Sequence, residues 1–126
     1  MIYLTASDLI YVGERAVGIP LAVRDHGLLE AACARPQTSW LGIDTYPAIE
    51  TKAAALVHSI VSNHALVDGN KRLGLAGLIA FLGINGWKLT WSNDEAFEFI
   101  TELATGQLDD VVLIAARIEH GLARRA

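Results

Sequence analysis

At 126 residues, 52% of them hydrophobic and 19% charged, the chain has the size of one domain and enough apolar side chains to bury a substantial core. A net charge of −4 argues against bulk nucleic-acid binding, which normally needs a basic face to displace counterions, and a single cysteine, Cys33, rules out an internal disulfide framework. No run of 18 uninterrupted apolar residues exists to span a bilayer, so the apolar surplus points to an interface with another protein.

The opening Met1-Ile2-Tyr3-Leu4 carries no secretory leader pattern, which implies a cytoplasmic location. Ile2 to Leu4 reads as a short extended piece. Thr5, with Asp8 three residues on, forms a capping box ahead of Leu9, Ile10, Val12 and Ala16, the apolar side of a first helix ending near Gly18. Gly18-Ile19-Pro20 breaks it. Leu21 to His26 is short and exposed in character; taken alone, Arg24 and Asp25 are a solvated loop and an N-cap for the next helix. Gly27 to Arg35 is that helix, stopped by Pro36. Gln37 to Tyr46 is a loop whose Trp40 tucks into the core.

A long helix follows from Thr45, with Pro47 in its first turn, to about Asn63. Ile49, Ala53, Leu56, Val57, Ile60 and Val61 recur at three- and four-residue spacing and mark one buried stripe. His58 on this helix has no acidic or thiol partner at metal-ligand spacing and reads as an ordinary packing residue. Leu73 to Asn85 is apolar almost all round, with Gly74, Gly77 and Gly83 allowing close neighbours, the composition of a helix at the centre of a bundle. Gly86 caps it. Trp87 to Trp91 alternates as a brief strand does, with Ile2 to Leu4 as its candidate partner. Ser92 and Glu95 box a helix that runs to Thr105 and ends at Gly106, and Leu108 to Arg124 is the last helix. The expected fold is all-α, a compact bundle of about six helices with a short terminal β pairing, residues 1–126 forming one domain.

Between the two most apolar helices lies His64-Ala65-Leu66-Val67-Asp68-Gly69-Asn70-Lys71-Arg72, a turn feeding a helix N-terminus. Such an end offers unpaired N–H groups and the positive pole of the helix dipole, both favourable to phosphate. Phosphoryl or nucleotidyl transfer is chiefly positioning and charge neutralisation, with one proton to remove. His64 suits that proton, because imidazole titrates near working pH; alone it would be a helix-end histidine. Asp68 is a hard oxygen ligand suited to Mg²⁺; alone before glycine it would be a turn residue. Gly69 permits a backbone that turns N–H groups toward an anion. Asn70 can donate to a phosphate oxygen and cap the helix, and Lys71 and Arg72 bring positive charge, though such a pair by itself is usually solvated. No Walker loop, H-E-x-x-H, cysteine pair or nucleophile elbow competes.

His64, Asp68, Gly69, Asn70 and Arg72 follow the pattern H-x-F-x-D/E-G-N-G-R-x-x-R, and in this the chain resembles the Fic/Doc family. The resemblance runs from about Tyr3 to Arg117 and takes in Leu21 to Glu30, Ala34 to Gln37, Tyr46-Pro47 and Phe81 to Gly86. Leu66 replaces the usual phenylalanine and Ala65 the common proline. Lys71 and Leu75 stand where the Fic branch has its second glycine and second arginine, and both departures resemble the Doc branch, the toxins of Phd/Doc toxin–antitoxin pairs. The resemblance implies a protein kinase that transfers the gamma phosphate of ATP to a threonine of elongation factor Tu and so arrests translation. It implies His64 as the base, Asp68 on Mg²⁺, and Gly69, Asn70, Lys71 and Arg72 on the nucleotide. Val23, Arg24 and Asp25 would belong to a flap that clamps the target segment. Gly69, the Fic-type residue, keeps AMP transfer open as an alternative, and an inert partner-binding module is a third reading.

Self-inhibiting Fic enzymes carry an [S/T]-x-x-x-E-[G/N] helix, and none of Glu14, Glu30, Glu50, Glu95, Glu98, Glu102 or Glu119 fits it. Inhibition is therefore expected from a separate Phd-like antitoxin, whose disordered tail folds as a helix into an apolar groove.

Overall fold

The computed structural model describes all 126 residues. Its helices are α1 (Ala6–Val17), α2 (His26–Ala34), α3 (Ile49–Asn63), α4 (Asn70–Ile84), α5 (Asn93–Thr105) and α6 (Val111–Gly121). A 3-10 turn, Arg35–Gln37, follows α2. Two antiparallel pairs of short strands complete the fold: β1 (Ser39–Trp40) with β2 (Ile43–Asp44), and β3 (Trp87–Leu89) with β4 (Leu122–Arg124). The expectation of an all-α bundle is borne out, with six helices. No helix is long and apolar enough to cross a membrane.

The centre of the bundle is α3 rather than α4. From Lys52 to Val61 only His58 escapes full burial, and the helix packs against α2, α4, α5 and α6. Three consecutive alanines, Ala53 to Ala55, let neighbours close in on several sides, so the single buried stripe expected of α3 is an underestimate. α4 lies beside it through Leu73, Gly74, Gly77, Leu78, Phe81 and Leu82. A Cβ at Gly74 would come within 2.6 Å of Val61, so the close approach there needs glycine. The opposite side of α4, including Ile79 and Ile84, is exposed because no element covers it.

Local signals set most boundaries. Thr5 and Asp8 form the expected capping box, and Gly18 ends α1 in a left-handed conformation. Ser92 and Glu95 do the same for α5. Four expectations need correction. Trp40 does not enter the core: Leu41 and Gly42 make a tight turn between β1 and β2, and the hairpin projects into solvent. α3 starts at Ile49, not Thr45, because Thr45 donates its N–H to Thr38 at 2.9 Å and so closes the hairpin, leaving Pro47 outside the helix. β3 pairs with β4 rather than with Ile2 to Leu4; the Asn85 amide instead holds both backbone groups of Ile2 at 2.8 Å. The last helix begins at Val111, capped by Asp110, and stops at Gly121, after which the chain extends into β4.

His58 is a packing residue, as expected, but its acidic partner comes from another element. Arg35 donates to its Nδ1 at 2.7 Å, so the Nε2–H donates to Asp109 at 2.7 Å, linking α3 to the 3-10 turn and to the loop before α6. Buried Lys52 reaches the Pro36 carbonyl and the Asp44 carboxylate, both at 3.3 Å, and pins the base of the hairpin.

Candidate active site

His64 ends α3 with φ 53° and ψ 46°, a left-handed residue that turns the chain off the helix axis and leaves the imidazole exposed. Ala65 and Leu66 then drop into the core as anchors, so leucine serves where the pattern has phenylalanine. Val67 and Asp68 emerge again, and Gly69 takes φ 94° as the N-cap of α4, a conformation that strains any residue with a Cβ. The Asp68 carboxylate accepts the Gly69 N–H at 2.9 Å through Oδ1. The first intrahelical-type bond is Leu73 N–H to the Gly69 carbonyl at 2.9 Å, so the N–H groups of Asn70, Lys71 and Arg72 have no partner in the fold.

Asn70 was expected to cap the helix, and its side chain does not. Oδ1 accepts the Leu66 N–H at 3.0 Å and Nδ2 donates to the Leu66 carbonyl at 3.1 Å, while the cap position belongs to Gly69. The amide thus closes the loop on itself and fixes the spacing between His64 and the start of α4.

The segment before α2 lies against this loop. Ala22 accepts from Val67 N–H at 3.0 Å, Ala65 accepts from the N–H groups of Arg24 and Asp25 at 2.8 and 3.1 Å, and Val23 bridges Leu66. The Arg24 guanidinium donates to the His64 carbonyl, and the Asp25 carboxylate caps α2 through the Leu28 N–H. The structure therefore brings Val23, Arg24 and Asp25 to the motif, with the two charged side chains engaged in holding the loop and the helix start.

His64, Asp68, Gly69, Asn70, Lys71 and Arg72 line one cavity of about 960 Å³. Its other wall was not evident from the pattern. It comprises Ile19, Pro20 and Leu21 after α1, Val61 and Leu75 at the base, and one face of α5 with Asn93, Phe97, Ile100, Thr101 and Ala104. The signal was a second stripe on α5, positions 97, 100, 101 and 104 at helical spacing, beside the core residues Phe99 and Leu103. Thr101 Oγ1 is buried there without a hydrogen-bond partner, the one such side-chain atom in the molecule.

Electrostatically the motif side is positive. Lys71 and Arg72 are exposed and form no ion pair, since the three pairs present involve Lys52, His58 and Arg117. Asp68 is the only carboxylate of the lining. One carboxylate cannot cage a divalent ion by itself, but it fits Mg²⁺ shared with phosphate oxygens and water. Cys33, by contrast, plays no part in the cavity; burial pushes its thiol up to about 11, and it stays protonated and inert.

The Fic/DOC family profile matches residues 3–82, from the extended N-terminus through the motif to the last turn of α4. The chain belongs to the Fic/Doc family. Within that family, Toxin Doc of Mycolicibacterium smegmatis is 48% identical over 109 residues, covering 85% of this chain and 84% of the relative. The assignment to the Doc type of the Fic/Doc family, made on Lys71 and Leu75, agrees with that relative.

Proposed function

We propose that this chain is the toxin of a toxin–antitoxin pair and acts as a protein kinase, transferring the gamma phosphate of ATP to a hydroxyl of a translation factor, elongation factor Tu, and so arresting translation. One observation carries the reading: an exposed imidazole, the unpaired N–H groups of the first turn of α4 and two unpaired cations face the same cavity. The N–H groups of Asn70, Lys71 and Arg72 would hold phosphate oxygens, with Lys71 and Arg72 offsetting their charge. His64 would take the proton of the attacking hydroxyl as its oxygen bonds to phosphorus and ADP leaves. Asp68 would hold Mg²⁺, which would supply positive charge against the phosphates. The α5 wall would seat the base end of the nucleotide against Phe97.

Two residues favour phosphate over AMP transfer. Lys71 adds charge at the mouth of α4, and Leu75, half-buried in the cavity lining, places an apolar side chain where an arginine would grip a second phosphate. Gly69 speaks for AMP transfer, so that remains the second reading. The inhibitor is proposed to be a Phd-like antitoxin, whose amphipathic tail suits the apolar half of the cavity, where Phe97, Ile19 and Pro20 present uncovered apolar surface. The name of the Mycolicibacterium smegmatis relative supports the toxin assignment.

Incubation of elongation factor Tu with ATP labelled at either the gamma or the alpha phosphate separates the readings. Label from gamma alone supports the kinase; label from alpha supports AMP transfer. No relief of toxicity and no complex on co-expression with the neighbouring antitoxin candidate would end the pairing proposal.

A further inference from the structure

Two non-glycine residues in the chain take a positive φ, and His64, at φ 53°, is one of them. Left-handed helix ends normally close on themselves through the N–H of the left-handed residue. Gly18 does so on the Glu14 carbonyl at 2.8 Å and Gly106 on the Leu103 carbonyl at 3.2 Å. His64 has neither device. It carries a Cβ, and its N–H makes no backbone hydrogen bond. Its neighbours on both sides are fixed. α3 is helical up to Asn63, and Ala65 is buried, with its carbonyl accepting the N–H groups of Arg24 and Asp25 at 2.8 and 3.1 Å. The freedom that remains is at His64 itself, between the left-handed well and the right-handed one that would continue α3. That choice sets where the imidazole points.

Arg24 acts on this choice. Its guanidinium donates from Nη2 to the His64 carbonyl while its own N–H donates to the Ala65 carbonyl, so one residue holds two consecutive carbonyls of the turn. α3 has no basic residue in its last turn, and the guanidinium brings to that end the positive charge a helix C-terminus favours. The two residues stand 40 positions apart, so the contiguous motif gives no hint of the pairing. We propose that Arg24 is a positioning residue for the transfer: it locks His64 in the left-handed turn that presents the imidazole to the cavity. The proposal rests on the reading of His64 as the base. Without the clamp, the right-handed well is favoured about tenfold for a residue with a Cβ, and the base spends most of its time turned away.

Arg24 is exposed, so Arg24→Ala should fold as the parent does. In that variant kcat for phosphorylation of elongation factor Tu should fall about tenfold, with KM for ATP and for elongation factor Tu unchanged. Arg24→Lys, which keeps the charge but not the planar fork, should recover part of the loss. Millimolar guanidinium should restore part of kcat to the alanine variant and add nothing to the parent. By NMR, the backbone chemical shifts of His64 should move from left-handed toward right-handed values in Arg24→Ala. An unchanged kcat would overturn the proposal, as would a lost kcat with left-handed shifts retained. A raised KM for elongation factor Tu with kcat intact would also overturn it, and would assign Arg24 to the acceptor. Absence of transfer by the parent itself would remove His64 as the base and this role with it, whereas unchanged shifts in the variant of an active parent strike the positioning alone.

Discussion

Asn70 is the residue whose role the structure changes most, and Asn70→Ala gives it a measurable consequence. The side chain satisfies both backbone groups of Leu66, at 3.0 and 3.1 Å, in a residue that is 1% exposed. Truncation leaves a buried donor and a buried acceptor unpaired, at about 1–3 kcal/mol each, with some relaxation of the loop between them. A loss of about 2–4 kcal/mol is expected. With an unfolding entropy of about 2.1 cal/mol/K per residue, a chain of 126 residues loses roughly 4 °C of melting temperature per kcal/mol, hence about 8–15 °C. The loop carrying His64 and the start of α4 would lose their mutual spacing as well, so transfer should fall together with stability. Calorimetry, run beside a transfer assay, reads both. A variant that melts within a degree or two of the parent but has lost transfer would refute the argument, and would leave phosphate contact as the role of Asn70.

Thr101→Val removes a buried hydroxyl that has no partner, so the protein should melt at the same temperature or up to about 4 °C higher; a clear drop in melting temperature would show that the hydroxyl is satisfied. Lys71→Ala should weaken ATP binding about tenfold at low salt and less at high salt, as titration calorimetry at two ionic strengths would read; a salt-independent loss would contradict a charge role. Asp8 accepts the Thr5 N–H at 2.9 Å, and that bond holds its carboxyl below the ordinary 3.8. Its folded pKa is thus depressed, so its contribution to α1 is complete above 3.8 and is lost as the pH falls through the lower folded value. Asp8→Asn should flatten that acid limb of the stability curve, and an unchanged limb would count against the cap.

The site was legible because its chemistry is contiguous. Nine residues from His64 to Arg72 carry the base, the carboxylate, the helix start and the cations, and no long-range contact is needed to see them. Capping boxes at Thr5 and Ser92 were legible for the same reason: their partners stand three residues away. What escaped was decided across the chain. Thr101 belongs to the cavity only because α5 packs beside α4, and β3 takes β4 as its partner because α6 stops three residues before Arg124. Trp40 looked like a core residue by type, and its place was set by a two-residue turn whose leucine gave no warning. α3 is central through its alanines, which a count of large apolar side chains does not weigh.

Intact-mass spectrometry of elongation factor Tu, after incubation with this protein, ATP and Mg²⁺, tests the central claim most directly, with His64→Ala as the control. The account predicts a gain of one phosphate with the parent chain and none with the variant. A gain of one AMP, or a gain that survives loss of the imidazole, would contradict it.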